Sequence, residues 1–109
     1  MRLAMSRAGA ALLRAVLARA AEVENRIRLV DIRSTDWHSL TFAGERHAIT
    51  LRIDEAGAAQ TLEHLVGGLE EHEFTISGQI VADIAVVEPV VTDADGFLTV
   101  IIEALTVAE

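Results

Sequence analysis

The sequence has no cysteine, no lysine and no tyrosine, a single proline, and only four aromatic residues, Trp37, Phe42, Phe74 and Phe97. Without cysteine there is no disulfide framework and no thiolate to ligate a metal or attack a substrate. One proline and seven glycines in 109 residues exclude collagen-like and low-complexity classes. Four scattered aromatics provide no stacking platform of the kind single-strand nucleic-acid binders use. No long apolar run opens the chain either. The longest uncharged stretch of the N-terminal segment, Ala8 to Leu13, falls far short of the ~20 residues that span a bilayer and is shorter than a signal-peptide core. The expectation is a cytoplasmic protein with no integral membrane association.

What the chain does have is hydrophobic mass, 51% of residues, with 24% charged, which is the profile of one soluble globular domain over residues 1–109. The net charge of −8 conceals a split. Residues 1–28 hold six arginines against Glu22 and Glu24, while residues 29–109 hold three arginines against fifteen acids. An acidic body repels polyphosphate, so nucleic acid is not an expected partner.

Within residues 1–25, Leu12, Leu13, Val16, Leu17, Ala20 and Val23 fall on one stripe at 100° per residue, with Arg7 and Arg14 opposite and Arg19 at the flank. This predicts an amphipathic helix near residues 5–25, supported by i,i+4 pairs Glu22–Arg26 and Glu24–Arg28. Such a helix could lie on an anionic membrane or dock on the chain's own sheet. Membrane-surface helices carry Trp or Phe on the apolar side, and this stripe carries only small and aliphatic residues, which favours docking.

From Ile27 the period changes to two. Residues 27–33 read as a short strand, and residues 36–53 as a hairpin of two alternating runs about a type II′ turn at Gly44-Glu45. In that register Phe42 faces His47, Leu40 faces Ile49, His38 faces Leu51 and Trp37 faces Arg52 as a cation–π or stem-packing pair. Asp54 occupies the N-cap position of a second helix over about residues 55–66. A second hairpin follows, with runs 74–87 and 97–107 about the turn Asp93-Ala94-Asp95-Gly96. The fold class is α+β: an N-terminal helix on residues 1–25, then residues 26–109 with a mostly antiparallel sheet of about five strands and a second helix, in the order helix, three strands, helix, two strands. The last hairpin is apolar on both sides, Ile80, Ile84 and Val86 alternating with Val81, Ala85 and Val87, and Ile101, Leu105 and Val107 alternating with Val100, Ile102 and Ala104. Its second face needs a cover, either one helix on each side or a second copy of the chain, and a homodimer is the expected solution.

No phosphate-binding glycine loop, nucleophile elbow or His-Glu-x-x-His pattern is present. Asp36, His38 and His47 share a face of the expected hairpin, but four residues of strand would hold the two imidazoles roughly 13 Å apart, too far for one metal. No metal or cofactor is therefore expected, and His38 and His47 read as the half-buried polar ends of a core stripe of Leu40, Phe42, Ile49 and Leu51. His64 and His72 with their neighbouring glutamates read as a solvated helix end. Asp83 and Glu103 interrupt apolar strands; alternation points them outward or pairs them with Arg28, Arg33 or Arg52, whereas in a closed pocket with His38 or His47 they would suit acid–base work by a small hydrolase or isomerase. The other face of the hairpin collects Trp37, Arg46 and Arg52, the composition of interface anchors, although packing of Trp37 under the N-terminal helix is the more expected arrangement.

The run Trp37-x-Ser39-x-Thr41-Phe42-x-Gly44-x-Arg46-His47, the segment Gly78-Gln79-Ile80-Val81-Ala82-Asp83 and the ending Glu103-Ala104-Leu105-Thr106-Val107 resemble small uncharacterised bacterial proteins without an assigned function. The resemblance covers most of the chain after residue 26 and implies no activity and no site residue. The sequence-level reading is thus a dimeric binding module without catalysis, with Trp37, Arg46, Arg52, His38 and His47 as candidate contact residues.

Overall fold

The computed structural model describes residues 5–109, so residues 1–4 of the N-terminal segment lie outside the described part of the chain. The fold is α+β, with helices α1 (Arg7–Ala18) and α2 (Ala58–Val66) and strands β1 (Ile27–His38), β2 (Ala43–Ile53), β3 (Gln79–Val86), β4 (Val91–Thr92) and β5 (Leu98–Ala108). The strands form one antiparallel sheet in the order β1-β2-β5-β3, and β4 pairs with the start of β5 beyond the end of β3.

Helix α1 begins where Ser6, in extended conformation, accepts the Gly9 N–H on its hydroxyl at 2.9 Å, meeting one of the unpaired donors of the first turn. Its stripe docks as expected, with Leu12, Leu13 and Val16 buried. The helix stops earlier than residue 25. A 3-10 helix over Ala21–Arg26 follows and buries Val23. In that tighter winding, residues three apart share a face and those four apart do not. The expected Glu22–Arg26 and Glu24–Arg28 pairs are accordingly not formed among the described residues, and Arg28 already lies in β1.

Arg19 ties the two helices together. Its guanidinium donates to the carbonyl oxygens of Leu65, at 2.7 Å, and of Gly67, which are free carbonyls at the end of α2. Arg19→Ala is expected to lower unfolding stability by about 1.5–3 kcal/mol, the range for hydrogen bonds to a charged group, read as a shift of the urea midpoint. An unchanged midpoint would show that water serves those carbonyls equally well. At its other end α2 starts from Gly57, whose φ of +67° leads the chain in, with no side-chain cap. Asp54 is not the N-cap; its carboxylate sits 3.9 Å from Arg28 instead.

The sheet departs from the sequence-based register in its first half. Residues 27–33 and 36–38 belong to one strand, β1, interrupted only by a bulge at Val30, and the loop to β2 is residues 39–42. Ser39 closes that loop: its N–H donates to the Phe42 carbonyl at 2.9 Å and its hydroxyl accepts the Phe42 N–H at 3.0 Å. A type II′ turn at Gly44-Glu45 would need positive φ at Gly44, which Gly44 does not adopt. The true pairs are His38 with Ala43, Trp37 with Gly44, Thr35 with Arg46 and Ser34 with His47. Two strands thus precede α2 and three follow it, among them the short β4.

Alternation along this register puts Ile27, Leu29 and Ile32 of β1, Ile49, Leu51 and Ile53 of β2, Val100, Ile102 and Ala104 of β5, and Ile84 and Val86 of β3 on one face. All of them join a single core with Leu12, Leu13 and Val16 of α1 and Leu65 of α2. Both helices therefore cover the same face, and the arrangement with one helix on each side of the sheet is not the one adopted.

Candidate interaction surface

The opposite face follows from the same register. Trp37, Gly44, Val107 and Ile80 form one row across the four strands. Next to it run Thr35, Arg46, Leu105 and Asp83, then Arg33, Ala48, Glu103 and Ala85, then Asp31, Thr50 and Ile101 with Val87, whose N–H donates to the Ile101 carbonyl at 2.8 Å. None of these side chains packs into the core under the helices, though Val107 is itself buried, 8% exposed. A bulge between Val81 and Asp83 shifts the phase of β3, so that Val81 turns to the core side and Ile80 to the open side, 52% exposed. The expected grouping of Ile80 with Ile84 and Val86 is corrected accordingly, whereas the two faces of β5 are as expected.

The face closes at its far end on Arg52. Arg52 pairs across the sheet with Arg28 rather than Trp37, and its guanidinium lies 4.0 Å from the centre of the Phe97 ring and 3.0 Å from an Asp93 carboxylate oxygen. The cation–π partner of Arg52 is thus Phe97. Desolvation pushes the Asp93 carboxyl upward, but the N–H groups of Asp95 and Phe97 and the Arg52 guanidinium outweigh it and hold the group below the ordinary carboxylate value. The turn predicted at residues 93–96 is built on these bonds.

At the near end, beyond Trp37, the loop of residues 39–42 carries Leu40, fully exposed, and Phe42, 57% exposed. Both were expected in the core stripe and are instead at the hairpin tip. His38 ends β1 in an exposed position opposite Ala43, not against Leu51.

His47 lies deeper than the half-buried margin expected of it and does not stand on a contact surface. It is buried, 2% exposed, under the first turn of α1. Its Nδ1 lies 2.7 Å from the Ser34 hydroxyl and its Nε2 lies 2.8 Å from the Thr106 hydroxyl, so both ring nitrogens are hydrogen-bonded. Burial lowers its pKa below 6.5, opposed in part by Glu45, whose Oε1 is 3.9 Å from Nε2. That same Glu45 oxygen accepts from the Ser6 hydroxyl at 2.7 Å, linking the cluster to the helix cap. The helix approaches so closely that a Cβ on Gly9 would stand 2.8 Å from the Ser34 hydroxyl.

The structure therefore brings Trp37, Arg46 and Arg52 to one open face together with Ile101 and Leu105, and separates them from His47. Asp83 and Glu103 are exposed on that same face. Among the described residues no three His, Asp or Glu side chains converge as metal ligands, and no helix is long and apolar enough to cross a membrane. A groove of about 700 Å³ lies between α1 and residues 75–79, lined by Arg7, Arg14, Ile76 and Gln79, and another of about 720 Å³ lies between α2 and residues 86–90, both away from every one of these candidates. No family model, curated protein or solved structure matches the chain.

Proposed function

We propose that this chain is a small cytoplasmic interaction module without catalytic activity, and that the open face of its sheet is the contact surface. The observation that carries the reading is the one-sided cover: both helices pack on one face, while Trp37, Ile80, Val87, Ile101, Leu105 and Val107 line the other. Apolar side chains interleaved with charges on a sheet face that no helix covers are what interfaces use. The alternative, His and carboxylate acid–base chemistry, has less support. His38, His47, Asp83 and Glu103 line none of the three best-formed grooves, and His47 spends both ring nitrogens on hydroxyls. The absence of cysteine suits a reducing compartment.

A photo-crosslinking amino acid placed at Ile101 is expected to give an adduct in cells that make the protein, while the same group at Gln60, exposed on α2, gives none. Absence of any Ile101 adduct, or equal labelling from Gln60, would overturn the reading.

A further inference from the structure

We infer that the partner on the open face is a second copy of this chain, packed sheet to sheet about a two-fold axis parallel to the strands. The inference rests on the reading of that face as the contact surface. Four strands at ~4.8 Å spacing, each offering some nine residues at ~3.3 Å, make a patch of roughly 19 by 30 Å. That is about 600 Å² in plan and more in accessible area, against about 800 Å² per partner in a standard interface.

The charges on the face are complementary to themselves in one arrangement only. Arg28, Arg33, Arg46 and Arg52 stand on β1 and β2, with Asp31 held by Arg33 at 2.9 Å, whereas β5 and β3 contribute only the acids Glu103 and Asp83. One half of the patch is basic and the other acidic. A two-fold along the strands lays β1 over the partner's β3 and β2 over the partner's β5. Trp37 then meets the partner's Ile80, Ala48 meets the partner's Glu103, and Arg46 meets the partner's Leu105, with the partner's Asp83 and Glu103 beside it. The exposed Leu40 and Phe42 overhang the partner's β3–β5 end. A two-fold running across the strands, with the patches centred on one another, would instead reverse each strand onto its own copy. It would set Arg33 on the partner's Arg33 and Glu103 on the partner's Glu103, opposing like charges in a desolvated patch.

The test is a charge swap between two variants of the purified full chain, followed by light scattering during size exclusion. Arg46→Glu alone places a carboxylate beside the partner's acids at both symmetric positions, and Glu103→Arg alone places a cation beside the partner's Arg46. Each should raise the dimer dissociation constant at least about 10-fold, the lower end of measured coupling for close charge pairs. Mixed one to one, the two variants form a heterodimer in which both positions again join opposite charges, and the dimer should return. Circular dichroism of each variant checks that the fold is retained. A monomeric wild type at about 100 μM overturns the inference, and if Ile101 still crosslinks to a different protein the surface reading stands without it. A dimeric wild type whose mixed variants stay monomeric overturns the axis.

Discussion

Replacing His47 by Phe is expected to lower unfolding stability by about 2–4 kcal/mol although the new side chain is apolar and of similar bulk. The imidazole is the hydrogen-bond partner of both Ser34 and Thr106, and Thr106 is fully buried. Removing it strands two hydroxyls, each costing about 1–3 kcal/mol when water cannot reach it, and Ser34 is only half-buried. The same residue gives the wild type an acid limb. In the folded chain His47 has a pKa below 6.5 because burial disfavours its cation, so its contribution is complete above pH 6.5. As pH falls below 6.5 the unfolded chain takes up a proton that the folded chain does not, and stability is lost down toward the folded value. Urea midpoints between pH 7.5 and about pH 5, before most carboxylates titrate, should therefore fall in the wild type and stay flat for His47→Phe. Parallel slopes in the two proteins would show that His47 does not titrate as its burial demands.

Gly44→Ala is the second large effect. Glycine within a strand normally weakens it, and alanine would ordinarily be an improvement of about 0.5–1 kcal/mol. Here an added Cβ would stand 2.0 Å from the Thr106 carbonyl oxygen and 3.0 Å from the Val107 Cα, both backbone atoms of the neighbouring strand. Neither can swing aside as a flexible side chain would. The expected result is a loss of about 1–3 kcal/mol, the range for overpacking, with β2 and β5 pushed apart next to the His47–Thr106 bond. Urea unfolding measures the loss, and a gain in stability would mean that the strands separate there without resistance.

Gly44 also explains what the sequence could and could not convey. The period-two runs, the apolar stripes and the turn at Asp93 were legible, because alternation and turn chemistry are local, and with them came the α+β class. The register of the first hairpin was not legible. Gly44 marks a close backbone approach by Thr106, a contact 62 positions away in the chain that local pattern cannot register, so it read as a turn residue. That one displacement carried Leu40 and Phe42 into an imagined core and hid the Ser34–His47–Thr106 cluster. Of the candidate surface, Trp37, Arg46 and Arg52 were found together because parity along β2 survives the slip for Arg46 and Arg52, and Trp37 keeps its side of the sheet. Which helix covers which face depends on how the helices pack, and the two-sided apolar pattern of β5 could only show that something must cover both.

The most direct test of the open sheet face as a self-association surface is Leu105→Asp compared with wild type, by light scattering and urea unfolding on the same samples. Leu105 sits on that face between Arg46 and Asp83 on the neighbouring strands. The expected result is a wild type at twice the 11.7 kDa chain mass and a variant at the single-chain mass that remains folded, its unfolding no longer dependent on protein concentration. A wild type that is monomeric at micromolar concentrations, or a variant that unfolds as if a core residue had been charged, would contradict it.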